Sequence, residues 1–177
     1  MAGWMACRRG LWAGLLAAFA LSSAGCLGYS FSGRTRTGDV YIPFFEDLSA
    51  GEHAVNPGLD LTQRVVAEFQ SDRSTRVFQA ASERSRASKE LLGTVRRVSE
   101  TLLSRDATER GEEYKVIVTC SVTYRDLATD KILWQNAGVV GDGQYELAQG
   151  EDGYRQALDE ALDDIVRIIA DNTLRAW

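Results

Sequence analysis

The sequence predicts an α+β fold: a two-layer sandwich in which a mostly antiparallel sheet of about four strands is covered on one face by two helices. Three patterns indicate it. Residues 114–124 alternate between apolar and polar side chains, which is typical of an antiparallel strand with one face on a core. Apolar residues recur instead at helical spacing after residue 56 and again after residue 152. The predicted order is β-α-β-β-β-α, and both helices can cover the same apolar sheet face.

The first strand and the first helix follow from local signals. Residues 39–45 predict a strand that is apolar on both faces, and Pro43 indicates an edge or an irregular ladder because it lacks an N–H. Asn56 and Pro57 predict a helix start, since proline suits the first helical turn. The helix is expected to end near Ser71. Its apolar face recurs every four residues, at Leu61, Val65 and Phe69.

Three further strands complete the predicted sheet, after a short extended segment around residues 77–78. The first covers residues 91–102, and Gly93 marks a bulge or a close-packing point in it. The second is the alternating segment described above. The third covers residues 131–140, and the glycines of residues 141–143 are expected to break it.

A long C-terminal helix is predicted from residue 152, with Trp177 closing the core at its end. The acidic residues between Asp159 and Asp164 face away from its apolar stripe. That stripe is wide and consists of Tyr154, Leu158, Ala161, Leu162, Ile165, Val166 and Ile169.

Residues 1–25 predict a signal peptide rather than part of the fold. Arg8 and Arg9 precede an apolar run of 12 residues, too short for a membrane span of about 20 residues. The small residues before Cys26 resemble a bacterial lipobox, although Ser23 stands where leucine is usual. Cleavage there leaves Cys26 as an acylated first residue. An ordinary secretory signal with an incidental cysteine stays open as the alternative.

The expected mature chain consists of a lipidated tether, residues 26–38, and a domain, residues 39–177. The formal net charge is −5, and removal of residues 1–25, which hold two arginines and no acidic residue, makes it −7. No nucleic-acid partner is expected, because such binders usually carry a basic surplus. Leu27 follows Cys26, and the absence of the aspartate that signals inner-membrane retention favours the outer membrane. The acyl anchor removes the need for a transmembrane helix.

Signals for catalysis and for metal binding are weak. His53 is the only histidine and lies in a polar loop, and one histidine with three cysteines does not build a standard zinc site with any redundancy. Cys120 lies on the apolar face of the alternating strand, so burial is expected rather than nucleophilic use. The acidic run of residues 159–164 fits a solvated helix face better than a catalytic pair. No enzyme activity, cofactor or metal is expected.

Short motifs in a fixed order carry a resemblance to a known family. They are Cys26-Leu27-Gly28-Tyr29, Ile42-Pro43-Phe44-Phe45-Glu46-Asp47, Glu113-Tyr114 and Lys131-Ile132-Leu133-Trp134. In their order and spacing the sequence resembles the LptE family of lipopolysaccharide-assembly lipoproteins, over essentially the whole mature chain. The predicted order of strands and helices agrees with the fold of that family.

The resemblance implies a function without catalysis. Members of the LptE family sit as a single plug inside the outer-membrane barrel LptD, help it to fold, and with it move lipopolysaccharide to the outer leaflet. The resemblance also implies a lipopolysaccharide contact at the loop end of the sheet, where this sequence offers Arg105 and Arg110, with Lys115 just inside the strand. Arg96 and Arg97 are adjacent on a strand and point to opposite faces, so only one of them can belong to this lipopolysaccharide contact. Arg97 is the candidate. The loop before the last helix has no basic residue, which departs from a two-sided basic clamp.

Two other functions stay open at this point. One is a different accessory lipoprotein of envelope assembly, such as a pilotin for a secretion channel. The other, more remote, is a periplasmic hydrolase, which requires a cleft with perturbed carboxylates.

Overall fold

The computed structural model of the chain describes four segments: residues 38–49, 56–72, 75–105 and 112–175. Several positions singled out in the sequence lie outside them: the signal peptide, Cys26, His53, Arg110 and Trp177. The side chain of Arg105 also lies outside the description.

A six-stranded sheet forms one layer of the described fold. Its strands are β1 (Val40–Tyr41), β2 (Glu46–Asp47), β3 (Val77–Phe78), β4 (Lys89–Arg105), β5 (Glu112–Asp126) and β6 (Ile132–Glu146). The order is β3-β1-β4-β5-β6, with β2 paired to β4 off this path. The long strands β4, β5 and β6 are antiparallel, as predicted, whereas the two-residue strands pair in parallel. The sheet therefore has more strands than the four expected.

Two helices form the second layer: α1 (Pro57–Ser71) and α2 (Gly150–Thr173). The start of α1 is as predicted, because the Asn56 side chain accepts a hydrogen bond of 3.0 Å from the backbone N–H of Leu59. Part of the acidic run on α2 faces α1, where Arg64 forms ion pairs of 2.5 Å with Asp159 and with Asp163. Neither helix of the described segments has the length and apolar character needed to cross a bilayer.

The core lies between the helices and one face of the long strands. Every second side chain of β5 from Val116 to Tyr124 is at most 1% exposed, as its alternation predicted. These side chains form one buried cluster with Leu61, Val65 and Phe69 of α1 and with the apolar stripe of α2. Both helices therefore cover the same sheet face, and the two-layer α+β sandwich is confirmed.

The other face of the three long strands carries no helix among the described residues. We call it the helix-free face. Its central positions on β5 are half-buried and mostly hydroxyl-bearing: Ile117, Thr119, Ser121 and Thr123.

The prediction that residues 141–143 break the last strand was wrong. β6 continues through them to Glu146. The glycines are there because α2 crosses the strand closely: a Cβ atom at Gly141 would lie 1.9 Å from the carbonyl oxygen of Ala161, and one at Gly143 would lie 2.0 Å from that of Ala157. Glycine serves here for close packing of backbones, which a single sequence does not distinguish from a strand break.

The first predicted strand was too long. Only the two residues of β1 join the ladder, and the chain leaves it around Pro43 before β2 begins. The N–H of Phe45 donates instead to Thr62 Oγ1 on α1, at 2.9 Å. The Phe45 ring lies against Gly93, where a Cβ atom would be 2.3 Å from the ring. Gly93 is therefore a close-packing point, and the two register shifts of β4 against β5 fall after Val95 and after Leu102.

Candidate functional sites at the two ends of the sheet

The basic residues predicted to bind lipopolysaccharide are not brought together within the described segments. Lys115 lies on the helix-free face and forms an ion pair of 2.8 Å with Asp142. Arg97 is exposed on the same face and pairs with Thr119 of β5. Thr119 is four residues after Lys115, so Arg97 and Lys115 are separated by roughly 13 Å along the strands. Arg105 ends β4, and its backbone pairs with Glu112, so it stands at the loop end of the sheet as expected.

The loop end of the sheet is rich in acidic residues. Glu112 and Glu113 begin β5, and Glu146 ends β6. Glu151 and Asp152 occupy the first turn of α2. Arg155, the first base of α2, pairs with Glu151 at 2.7 Å. These carboxylates disfavour the approach of an anion to this end of the sheet at long range.

Three tyrosines fix the start of α2 to the sheet at the same end. Tyr114 stacks on Tyr145 with ring centroids 5.8 Å apart, and Tyr145 meets Tyr154 edge-on at 6.0 Å. The Tyr145 hydroxyl donates to Glu100. Burial and the neighbouring carboxylate raise the pKa of Tyr145, so its hydroxyl stays protonated. The sequence pattern predicts Tyr114 and Tyr154 as apolar positions and gives no signal for Tyr145, whose contact with Tyr114 arises from the β5–β6 register.

A buried carboxylate lies at the opposite end of the sheet. The Glu90 side chain is 3% exposed and receives hydrogen bonds from two guanidinium groups. Arg84 donates from Nε at 2.6 Å and from Nη2 at 3.2 Å. Arg125 donates from Nε at 2.7 Å, with Nη2 at 2.5 Å from the same Glu90 oxygen. Burial raises the pKa of Glu90, but the hydrogen bonds and charges of both arginines outweigh it and lower that pKa, so the carboxylate is ionised.

An open groove of about 720 Å³ lies beside this cluster. One wall is a 3₁₀ segment, Ala81–Arg86, and the other is the β5–β6 hairpin around Leu127. Sequence reasoning missed the cluster because Glu90 and Arg125 are 35 positions apart and meet only through the β4–β5 register.

The described residues offer no assembled catalytic centre. No group of three or more His, Cys, Asp or Glu side chains in them has the geometry to hold a metal ion. Cys120 is fully buried, and burial raises the pKa of its thiol to about 11. A thiol in that state is a core side chain rather than a nucleophile, in agreement with the expectation for this strand face.

The two-layer fold defines a small α+β domain with a polar cluster at each end of its sheet. A model of the LptE family, described as lipopolysaccharide-assembly, matches residues 37–173, and the chain belongs to this family. The match spans every described strand and helix, from β1 to the end of α2. The family description names lipopolysaccharide assembly as the role of its members.

Solved structures are similar to this chain at low sequence identity. Protein XCC0632 from Xanthomonas campestris is 12% identical with a TM-score of 0.54, and the alignment covers 78% of this chain and 87% of that one. Hypothetical protein CT253 from Chlamydia trachomatis is 12% identical with a TM-score of 0.49, covering 77% and 97%. A minor lipoprotein from Acinetobacter baumannii is 12% identical with a TM-score of 0.48, covering 78% and 91%. Comparison with curated proteins gives no match.

Proposed function

We propose that this chain is an outer-membrane lipoprotein that plugs an LptD-like barrel. In this proposal residues 1–25 are removed, Cys26 is acylated, residues 26–38 are the tether, and residues 39–177 are the plug on the periplasmic side. The plug helps the barrel to assemble and takes part in moving lipopolysaccharide to the outer leaflet, without enzymatic activity. The observation that carries the proposal is the family match over residues 37–173.

The surface chemistry of the domain supports this role. A barrel lumen is polar, so a plug needs a polar exterior. The helix-free face provides hydroxyl groups at Thr119, Ser121 and Thr123, while the outer faces of both helices carry charged residues. An acyl anchor holds the domain near the membrane and raises its local concentration beside the barrel.

Within this proposal the lipopolysaccharide contact is the loop between β4 and β5. Arg105 and Arg110 are the primary residues, because arginine binds phosphate in a bidentate manner. Lys115 and Arg97 flank the loop on the helix-free face. Their share in binding is expected to be smaller, since Lys115 is neutralised by Asp142 and Arg97 stands farther along the sheet.

Co-purification of the full-length protein with its membrane partner tests the role as a plug. The tagged protein is extracted from its native membrane in mild detergent, and the proteins bound to it are identified by mass spectrometry. An LptD-like barrel in equal amount supports the proposal. A secretin ring in its place points to a pilotin, and the absence of any barrel contradicts the proposal.

Charge reversal in the loop tests the lipopolysaccharide contact. Arg105→Glu combined with Arg110→Glu is expected to weaken lipopolysaccharide binding by the detergent-solubilised protein, while the melting temperature and barrel association stay unchanged. The control, Arg167→Glu with Arg175→Glu, makes the same charge change at exposed positions near the end of α2. Unchanged binding in the loop variant, or an equal loss in the control, places the contact elsewhere.

A further inference from the structure

We propose that the groove beside Arg84 and Arg125 binds a phosphate group, either as free phosphate or as part of a lipid headgroup. This site lies at the end of the sheet remote from the β4–β5 loop, so it is separate from the lipopolysaccharide contact proposed above. Its ligand is defined by chemistry: a tetrahedral oxyanion small enough to meet both guanidinium groups.

The two guanidinium groups are held in place from behind. Glu90 lies at the bottom of the cluster, opposite Arg125 in the β4–β5 register and beside Tyr41 of β1. Its two carboxylate oxygens accept hydrogen bonds from Arg84 and from Arg125 at the same time. Arginines that are already oriented lose less side-chain freedom when a ligand binds, and preorganisation of this kind favours affinity.

The cluster presents guanidinium donors to the groove. Arg84 and Arg125 are balanced by the buried Glu90 and by Asp130, which also lines the groove, so one positive charge becomes available when Asp130 turns away. The side chains of Arg84 and Arg125 are 46% and 29% exposed, respectively. Nη1 of Arg84 has no hydrogen-bond acceptor within the segments that the structure describes. Asp130 stands 3.4 Å from Arg125 Nη1 but is 83% exposed, so it can turn towards water when an anion arrives.

The rest of the groove suits a small polar ligand. Ser82 and Ser85 are exposed on its 3₁₀ wall, where their hydroxyl groups can donate to phosphate oxygens. The volume of about 720 Å³ falls within the usual range for sites of small molecules. Ala81 on that wall and Ala87 and Ser88 just after it have small side chains, which leave room for a headgroup beyond the phosphate.

A purely structural role explains this cluster less well. Buried ion pairs contribute little net stability, and apolar side chains of similar volume often serve as well or better. A glutamate that is 3% exposed between two partly exposed arginines therefore stabilises the fold no better than an apolar side chain of similar volume. The Glu90 carboxylate does, however, orient two guanidinium groups at the edge of an open groove.

The test uses the full-length protein in detergent, with inorganic phosphate as the probe. Isothermal titration calorimetry is expected to show saturable binding in the wild type. Ser85→Glu places a carboxylate on the groove wall without removing any contact of Glu90, and it is expected to weaken binding by about tenfold or more. Gln70→Glu, on the exposed side of α1, adds the same charge elsewhere and should leave binding unchanged.

The source of the phosphate is separated by a second titration. Dihexanoyl phosphatidylglycerol, a soluble lipid with an anionic phosphate, is compared with inorganic phosphate on the same variants. If only the lipid or only the inorganic ion binds, and Ser85→Glu weakens that binding, the probe that binds identifies the source of the phosphate. No binding of either probe to the wild type overturns the proposal. So does equal binding to the wild type and Ser85→Glu, because the anion then binds outside the groove.

Discussion

Val118 shows what a single buried position on β5 contributes to the sandwich. It is fully buried in the helix-covered core, so Val118→Asp places an unpaired carboxylate where neither water nor a cation reaches it. The expected cost is on the order of several kcal/mol, enough to lose the folded form. Val140→Asp is the matched control, because Val140 is 47% exposed on the neighbouring strand. Circular dichroism melting checks both, and equal melting temperatures contradict the assignment of this face to the core.

Cys120 provides a chemical test of the same core. Burial raises the pKa of its thiol to about 11, so almost no thiolate is present in the folded protein at pH 8. Iodoacetamide is therefore expected to label Cys120 slowly in the native protein and rapidly in urea, as followed by mass spectrometry. Fast labelling of the native protein contradicts the burial.

The same shift of the Cys120 pKa predicts a dependence of stability on pH. The folded pKa of about 11 is higher than the unfolded value of about 8.5, so the folded state keeps its proton longer. The contribution of the protonated thiol is complete below about pH 8.5 and is lost as the pH rises towards 11. Cys120→Ala should therefore show a smaller loss of melting temperature between pH 9 and pH 11 than the wild type, and an equal loss contradicts this reasoning.

At the scale of residues, the core was predictable and the polar clusters were not. Apolar residues recur every second position along β5 and about every fourth position along α1. These periods predict that Val118, Cys120 and Leu61 are buried, without knowledge of the residues that pack against them. The Arg84–Glu90–Arg125 cluster and the tyrosines at the other end depend on which residues of neighbouring strands stand opposite each other. That register is a long-range property, so a local pattern contains no signal for it.

The contact between β6 and α2 depends on glycine at the scale of elements. Gly141→Ala places a methyl group within 1.9 Å of the Ala161 carbonyl oxygen, so the helix or the strand must move. The expected loss of stability is about 1–3 kcal/mol or more, measured by urea unfolding. Gly138→Ala is the control on the same strand, since a Cβ atom there meets no atom within 4 Å. If both variants unfold at the same urea concentration, α2 does not lie where the structure places it.

Element boundaries were predicted well where a local chemical device sets them. The side chain of Asn56 and the ring of Pro57 fix the start of α1, and both can be read from the sequence. The first strand was predicted too long because Phe45 donates its N–H to Thr62 on a helix instead of to a strand. Whether the Phe45 N–H donates to a strand or to Thr62 is decided by tertiary packing. The alternation of apolar and polar side chains contains no information about that choice.

At the scale of the whole molecule, the proposed sites divide between opposite ends of one sheet. The long strands run about 15 residues, or roughly 50 Å, from the acidic loop end to the groove beside Glu90. A domain of this length can contact two separate anionic groups at once. The proposed tether, residues 26–38, determines which end of the sheet lies nearer the membrane. It is attached to the membrane only if Cys26 is acylated.

The proposed anchor depends on the Cys26 thiol. Cys26→Ser removes the only thiol that the lipobox resemblance allows to be acylated, so radiolabelled palmitate is expected in the wild type and absent from the variant. Cys120→Ser is the matched control and should keep its label, because Cys120 is buried inside the domain. Label retained in Cys26→Ser contradicts the lipobox assignment.

Loss of the anchor should also reduce association with the barrel. An acyl chain contributes about 0.8 kcal/mol per buried methylene group to membrane binding, and it confines the domain near its partner. Non-acylated Cys26→Ser protein is expected to keep the wild-type melting temperature, since the described core begins at Val40. In detergent-free membranes and at equal expression, a smaller fraction of this variant than of the wild type is nevertheless expected to crosslink to the proposed LptD-like barrel. Equal crosslinking means that contacts of the folded domain alone hold the plug in place, and the anchor then serves delivery to the membrane rather than retention in the barrel.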